Sequence, residues 1–291
     1  MLLVTGATGS IGRHVVPALV AKGVDVRLIV RDADRARDVL GDVLDSRLVD
    51  VAVGDLADPA FVQSALKGVD GAYLATSGAD QVRLEQEFIA AASSAQVGHL
   101  VKVSVIGAAA DSPVWVAQGH AAIEDILSAS GIPTTVLRPN WFMENFHGSA
   151  PTIAGQSTIY GSAGQGRVAF VDSRDTAAVA ATVMTDPSHA GREYVVTGPQ
   201  ALTFAEAADA FGRALGRPVA YVDLSDEQFH AALTGNGLPE PVAQVKGQIN
   251  RNARAGNLSA VSTTVQDLTG APARGLEDFV RDHATAFTPT A

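Results

Sequence analysis

The chain has 291 residues, of which 47% are hydrophobic and 18% are charged, a balance typical of a compact folded protein with a sizeable core. Its 31 acidic and 21 basic residues give a formal net charge of −10, which disfavours nucleic acid and anionic membrane surfaces as partners. The sequence contains no cysteine, which excludes disulfides, thiolate catalysis and cysteine-ligated metal centres.

Short apolar strands alternate with amphipathic helices from Met1 to about Asn145. The predicted strands are Leu2–Thr5, Asp25–Val30, Leu48–Val53, Gly71–Ala75, His99–Ser104 and Thr134–Leu137, and the predicted helices are Ile11–Lys22, Pro59–Leu66, Gln81–Gln96 and Val116–Ser130. The strands read as continuous apolar runs, which is typical of a parallel sheet covered by helices on both faces. The pattern therefore predicts an α/β fold with a Rossmann-type, doubly wound parallel sheet.

This alternation breaks down in the second half of the chain. The segment Gly148–Gly166 is rich in glycine and proline and is expected to form a loop-rich connection. The predicted elements beyond it are a strand at Val168–Val171, a helix at Asp172–Thr185, a strand at Glu193–Val196 and a helix at Thr203–Leu215. Thr203 and Glu206 have the spacing of a capping box at the start of the last helix.

These elements predict two domains. Residues 1–150 are expected to form an NAD(P)-binding Rossmann domain, and residues 151–291 a smaller C-terminal α/β substrate lobe. Segments at about 168–200 are expected to return and pack on the first domain.

A glycine-rich turn joins the first predicted strand to the first predicted helix. Gly6 permits a tight turn, Gly9 allows a pyrophosphate to approach the backbone, and Gly12 lets the helix pack closely. Free N–H groups and the positive end of the helix dipole then face the phosphates. A structural glycine turn that binds nothing is the alternative. The residues expected to bind cofactor here are Gly6, Thr8, Gly9, Ser10, Ile11 and Gly12.

The end of the second strand indicates which dinucleotide is preferred. Arg31 stands where a fold specific for NAD places an acidic residue, and it is suited to a ribose 2′-phosphate. NADP(H) is therefore the preferred cofactor and NAD(H) the alternative, while Asp32 is expected to cap the next helix. After the third strand, Asp55 and Leu56 are expected to hold the adenine edge, with a plain Asx turn as the alternative.

Four pieces of the sequence carry a family resemblance. They are Gly6-Ala7-Thr8-Gly9, Val30-Arg31, Gly54-Asp55-Leu56 and Leu137-Arg138-Pro139-Asn140-Trp141-Phe142-Met143-Glu144-Asn145. The chain resembles the NmrA-like branch of the atypical short-chain dehydrogenase/reductases over most of its length. Members include NADPH-dependent quinone oxidoreductases, triphenylmethane and azo-dye reductases, and redox-sensing regulators without catalysis.

The resemblance implies further site residues. Ala75, Thr76 and Ser77 are expected beside the nicotinamide ribose, and Pro139 and Asn140 are expected to close the cofactor pocket. Ser104 stands where typical members keep a catalytic Ser or Thr, although a strand-end cap is the alternative. The loop with Tyr160 is expected to approach the nicotinamide side and to contact substrate, and the segment Gln228–Gln248 is expected to supply a lid.

The chain departs from the superfamily at the catalytic helix. Typical reductases use a Tyr and a Lys four residues later, but Val116 and His120 stand at those positions. A reduced quinone stabilises its own charge as a phenolate, whose conjugate acid has a pKa of about 10, so it needs no such pair. His120 is the catalytic candidate, with a packed helix histidine as the alternative, and Glu124 is a candidate to orient it.

Three functions remain open at this stage. The first is an NAD(P)H-dependent oxidoreductase for quinone-like, aromatic or polyketide-derived molecules. Trp141, Phe142 and Phe146, with Trp115, are candidates for an aromatic wall for a flat ligand, with packing in the core as the alternative, and Asn140 is a further candidate for substrate contact. The second is a tailoring enzyme of secondary metabolism with oxygenation or isomerisation chemistry, and the third is a non-catalytic NAD(P)-binding redox sensor or regulator. We expect an aromatic small-molecule partner, with a homodimer possible, and neither nucleic acid nor membrane.

Two further expectations concern metals and location. The seven histidines show no pair at metal-ligand spacing, so no metal is expected. Met1 leads directly into an apolar segment without a basic region, and no apolar run reaches the length of a membrane span. A cytoplasmic location is therefore expected.

Overall fold

The computed structural model describes residues 1–289. Its strands are β1 (Leu2–Val4), β2 (Val26–Val30), β3 (Val49–Val53), β4 (Gly71–Leu74), β5 (His99–Val103), β6 (Thr134–Pro139), β7 (Thr158–Gly161), β8 (Arg167–Val168), β9 (Glu193–Val196), β10 (Leu202–Thr203) and β11 (Ala220–Asp223). Its α-helices are α1 (Gly12–Ala21), α2 (Ala33–Leu40), α3 (Pro59–Ala65), α4 (Gln81–Ser94), α5 (Trp115–Ser130), α6 (Ala150–Gln156), α7 (Ser173–Thr185), α8 (Phe204–Leu215), α9 (Asp226–Gly235), α10 (Glu240–Arg254), α11 (Thr264–Thr269), α12 (Leu276–Asp282) and α13 (Ala284–Phe287).

A seven-stranded parallel sheet organises the molecule, with the strand order β3-β2-β1-β4-β5-β6-β9. The chain winds outward in one direction from β1 to β3 and then returns to place β4 on the other side of β1. The predicted Rossmann-type, doubly wound α/β fold is confirmed. In such a sheet the ligand-binding crevice lies beyond the carboxyl ends of the strands, where the winding direction reverses. That point lies between β1 and β4.

Helices cover both faces of this sheet. Successive side chains of a strand point to opposite faces, so Leu3 packs into one apolar layer and Val4 into the other, both without solvent exposure. Helices α1 and α7 cover one face, and α3, α4 and α5 cover the other. This double burial explains why the strands of the sequence read as continuous apolar runs.

A second apolar core lies in the C-terminal part of the chain. It is built around edge-to-face phenylalanines, with Phe146 and Phe211 at a centroid distance of 5.0 Å. The expectation that Gly148–Gly166 forms a loop-rich connection was wrong, because most of this segment forms α6 and β7. Pro151 lies in the first turn of α6, where its missing N–H costs nothing, and β7 pairs in parallel with the distant β11.

Segments from the second half return to the sheet. Strand β9 pairs with β6 as an edge strand, and α7 packs on α1. The predicted strand at Val168–Val171 is reduced to the short β8 and a single bridge between Phe142 and Val171. The capping box of α8 is confirmed, since the Glu206 amide donates to the Thr203 hydroxyl oxygen at 3.1 Å and Glu206 accepts from the Thr203 amide. The division into domains at residue 150 stays a prediction.

Across residues 1–289, no helix combines the length and the apolar character needed to cross a bilayer.

Candidate cofactor and substrate cleft

The glycine-rich turn at the carboxyl end of β1 is shaped by close backbone contacts. Gly6 has a positive φ of 59°, and a Cβ atom there would lie 2.5 Å from the Ala75 carbonyl oxygen. A Cβ atom on Gly12 would lie 2.1 Å from the Gly6 carbonyl oxygen, so the start of α1 touches the turn itself. Helix α1 has no side-chain cap. The amides of Arg13 and His14 donate to the Gly9 and Ile11 carbonyls, whereas those of Ser10, Ile11 and Gly12 have no backbone acceptor within residues 1–289. These last amides are available to an anion, and the residues present fit a pyrophosphate.

This turn forms the middle of a continuous cleft of about 840 Å³. Most of the predicted cofactor residues line it: Gly6, Thr8, Gly9, Ser10, Ile11, Gly12, Arg31, Asp55, Leu56, Ala75, Thr76 and Ser77. Ser104, His120 and Phe142 line it as well. The cleft thus joins the carboxyl ends of β2 and β3 to those of β4 and β5, across the point where the winding reverses.

One end of the cleft carries two guanidinium groups. Arg31 and Arg35 are both exposed and line the cleft, and neither side chain has an ion-pair or hydrogen-bond partner within residues 1–289. Asp32 lines this end of the cleft as well, and its carboxylate caps α2, where it accepts from the Arg35 amide at 3.0 Å. Two guanidiniums without a partner, beside a carboxylate that already serves as the cap of α2, offer a site for a phosphate group.

Asp55 lines the cleft while forming the Asx turn considered from the sequence. Its carboxylate accepts from the Ala57 amide at 2.9 Å. Gly54, just before it, lies against the Phe61 ring, where a Cβ atom would meet ring carbons at 2.4 Å. A side chain at position 54 would therefore displace the Phe61 ring.

At the other end, Ser104 lies at the end of β5 and is buried. Its hydroxyl donates to Glu124, whose carboxylate also receives Arg138. Arg138 makes a second ion pair with Glu193 of the edge strand, at 2.7 Å. Glu124 was a candidate to orient His120, and this was wrong, because the planar Arg138 fork holds the carboxylate on the Ser104 side.

His120 instead contacts a buried ion pair that the sequence reasoning missed. Lys102 on β5 and Glu85 on α4 are both fully buried, with Nζ 2.9 Å from Glu85 Oε2. Lys102 Nζ lies 3.4 Å from His120 Nδ1, and the Gln81 amide nitrogen lies 3.4 Å from His120 Nε2. The same carboxylate accepts from the Thr76 hydroxyl at 2.7 Å, so the ion pair also fixes a cleft-lining residue.

Burial controls the protonation of this cluster. Desolvation, assisted by the charge of Lys102, lowers the pKa of His120 to about 3, so the imidazole is neutral at pH 7. Burial lowers the pKa of Lys102 while the adjacent Glu85 carboxylate opposes that shift. Burial and the Glu85 charge raise the pKa of Tyr73, a cleft-lining residue whose buried hydroxyl has no hydrogen-bond partner in the described chain.

Four predicted residues lie outside the lining of the cleft. Pro139 ends β6, and its carbonyl accepts from the Ile106 amide. Asn140 is buried and bonds the Leu258 carbonyl and the Trp141 amide, while Trp141 packs edge-on against two phenylalanines of the second core. The Tyr160 hydroxyl donates to Gln156 within the C-terminal part. The polar and aromatic groups of these four residues therefore contact other parts of the protein and do not line the cleft.

The missed residues left signals in the sequence. Lys102 interrupts the apolar strand His99–Val103, and Glu85 lies on the buried face of α4 one turn after Gln81. Charged residues are almost never fully buried unless paired, so a lysine in a strand buried on both faces calls for a partner carboxylate. Arg35 follows Arg31 by four residues and lines the cleft from the first turn of α2.

The described chain shows no group of three or more His, Asp or Glu residues arranged to hold a metal ion.

The segment Gln228–Gln248 consists largely of α9 and α10, and Gln248 accepts from the Trp115 amide at the start of α5. Helix α10 is thereby attached to the catalytic helix of the superfamily.

The sheet order, the glycine turn and the cleft together define a protein of the Rossmann dinucleotide-binding class. The model of the NmrA-like family matches residues 1–271, and the chain belongs to that family.

Relatives match over nearly the whole chain. The NAD(P)H azoreductase of Xenophilus azovorans is 40% identical over 288 residues, covering 99% of each chain. The structure of an NADPH-dependent quinone oxidoreductase from Escherichia coli, complexed with NADPH, has a TM-score of 0.88 and 32% identity, covering 98% of this chain and 100% of the other. The triphenylmethane reductase of Citrobacter sp., complexed with NADP(H), has a TM-score of 0.87 and 28% identity, covering 97% and 99%.

Proposed function

We propose that this chain is an NAD(P)H-dependent oxidoreductase that reduces quinone-like or other extended aromatic small molecules. The observation that carries the proposal is the continuous cleft, with unpaired guanidiniums at one end, the phosphate turn in the middle, and Ser104 with His120 at the other. The azoreductase and quinone oxidoreductase relatives support the same reaction class. A homodimer and a cytoplasmic location stay predictions.

The cofactor proposed is NADP(H), held along the cleft. The amides of the turn from Gly6 to Gly12 would receive the pyrophosphate, and Arg31 with Arg35 would receive the 2′-phosphate. Thr76, fixed by Glu85, would lie beside the nicotinamide ribose. The bound nicotinamide supplies a hydride, and the protein supplies the site that orients the acceptor and excludes water.

The residues at the acceptor end fit a substrate that stabilises its own negative charge. Ser104 donates its proton to Glu124, so the hydroxyl presents lone pairs rather than a proton to the cleft. His120 is neutral at pH 7, with a pKa of about 3, so it can offer a hydrogen bond to the acceptor but does not deliver a proton as an imidazolium. A reduced quinone oxygen, with a conjugate-acid pKa of about 10, can take its proton from water.

The direct test mixes purified protein with NADPH and a panel of quinones and azo dyes, and follows the nicotinamide absorbance with and without oxygen. Acceptor-dependent loss of NADPH is the expected result. Tight binding without turnover would contradict the proposal in favour of a sensor. Conversion of the aromatic ligand without loss of NADPH would contradict it in favour of tailoring chemistry.

Cofactor choice is tested with Arg31→Ala and Arg35→Ala. Each removes one charge-assisted contact of about 1.5–3 kcal/mol, so the Kd of NADPH should rise roughly 10- to 150-fold while the Kd of NADH changes little. Arg47→Ala is the matched control, since Arg47 is exposed, lies outside the cleft lining and removes the same charge. Equal weakening of NADPH and NADH in both cleft variants would refute the assignment.

A further inference from the structure

The buried ion pair of Lys102 and Glu85 bears on the imidazole that lines the acceptor end of the cleft. Both side chains are fully buried at the level of β5 and α4, and neither reaches solvent. Lys102 Nζ donates to Glu85 Oε1 at 3.2 Å and to the Val103 carbonyl, and it faces His120 Nδ1 at 3.4 Å. A charged pair withdrawn from water is costly, so its position against a cleft residue calls for a role.

The ion pair selects the tautomer of His120. An ammonium is a donor only, so a proton on Nδ1 would point at three other donor hydrogens. His120 therefore accepts at Nδ1 from Lys102 and carries its proton on Nε2. The hydrogen bond made by one ring nitrogen thus decides which atom the other presents.

The Nε2 proton has no acceptor in the described part of the protein. Its neighbour is the Gln81 amide nitrogen at 3.4 Å, which is also a donor. Both hydrogens of that amide are used, one on the Thr76 carbonyl at 3.1 Å and one on Glu85 Oε1 at 3.2 Å. Within residues 1–289 the His120 Nε2–H has no acceptor, and His120 lines the cleft, so this donor is left for an acceptor that enters the cleft.

We propose that Lys102 is a positioning residue that holds His120 in the Nε2–H tautomer, so that His120 donates a hydrogen bond to the acceptor oxygen on which negative charge develops. This inference rests on the proposed reductase function and names the group that replaces the missing tyrosine. Ser104 does not fill that place, because its proton is held by Glu124. A donor of this kind acts on the charge formed in the transition state and therefore affects kcat more than KM.

The first test is a spectroscopic one on the wild-type protein without substrate. The ¹⁵N shifts of the histidine ring nitrogens distinguish the two tautomers, and His120→Gln identifies the signal. We expect His120 to be protonated on Nε2 and to remain neutral at pH 7. Protonation on Nδ1 would overturn the proposal regardless of any measurement of turnover.

The second test removes the ion pair without leaving a buried charge, in the double variant Lys102→Met with Glu85→Gln. Gln retains an oxygen for the Thr76 hydroxyl, so the cleft wall is preserved. We expect the tautomer of His120 to become mixed or reversed, and kcat with a quinone to fall roughly 10²-fold, as for loss of one oxyanion donor, with the KM of NADPH nearly unchanged. Lys67→Met, an exposed lysine outside the cleft, is the control and should change neither quantity.

The outcomes separate this proposal from the reductase function. An unchanged tautomer in the double variant, or a changed tautomer with unchanged kcat, would overturn the role of Lys102. If none of the acceptors in the panel causes the wild-type protein to oxidise NADPH, the reductase function fails. The tautomer measurement still reports on the ion pair in that case.

Discussion

Replacing Gly12 with alanine should strongly weaken cofactor binding while leaving the fold in place. The new Cβ atom would lie 2.1 Å from the Gly6 carbonyl oxygen, whereas Cβ atoms essentially never approach within 3.0 Å, so the start of α1 must move by about 0.9 Å (3.0 − 2.1). A displacement of this size breaks hydrogen bonds of ordinary length, because a contact of about 2.9 Å becomes about 3.8 Å. Loss of two amide–phosphate bonds of about 1.5–3 kcal/mol each predicts a Kd raised roughly 10²- to 10⁴-fold.

Titration calorimetry with NADPH measures this loss, and urea unfolding measures the cost to the fold, expected at about 1–3 kcal/mol for overpacking. The matched control is Gly155→Ala in α6, where the new methyl meets no atom within 4 Å. That variant should bind NADPH normally and gain about 0.5–1 kcal/mol of stability from helix propensity. A Gly12→Ala protein with an unchanged Kd for NADPH would refute the argument that the turn has no room for a Cβ atom at this position.

Two further predictions concern stability. The pKa of His120 is about 3 in the folded protein and 6.5 for an unperturbed imidazole, so unfolded chains bind the extra proton first as the pH falls. Relative to His120→Gln, the wild type should therefore lose about 2 kcal/mol of unfolding free energy between pH 7 and pH 5. An equal loss in both proteins, measured by urea titration, would contradict the lowered pKa. Phe211 is fully buried and packs edge-on against Phe146 and Phe287, so Phe211→Ala should cost about 3–5 kcal/mol, whereas a loss below 1 kcal/mol in chemical denaturation would show that the second core does not depend on this ring.

The N-terminal half could be predicted from sequence because its signals are local. A strand followed by Gly6, Gly9 and Gly12 and then a helix needs no distant partner to be recognised, and the structure has that unit. The capping of α8 by Thr203 is equally local. Each of these features depends on residues within one turn of the chain.

The C-terminal half and the acceptor end of the cleft depend on distant pairings. Strand β7 exists because β11 pairs with it from about sixty residues away in the sequence, which its own composition does not reveal. Helical spacing suggested that Glu124 acts on His120, but Arg138, from a neighbouring strand, holds that carboxylate on Ser104. Lys102 was visible as an anomaly in an apolar strand, yet its partner Glu85 could be identified only once α4 was packed on the sheet.

The edge strand β9 has a consequence for how the two halves of this chain can be separated. The polypeptide leaves the sheet after β6, builds part of the second core, returns to supply β9, and leaves again. The Ser262 hydroxyl then donates to the Val195 carbonyl, and Arg274 forms an ion pair with Asp175 of α7. A fragment ending at residue 150 would expose the unpaired edge of β6 and the apolar face that α7 covers, which is a template for aggregation. The seven-stranded sheet is therefore completed by residues that lie beyond α6 in the sequence, and dissection of this protein by simple truncation should give insoluble material.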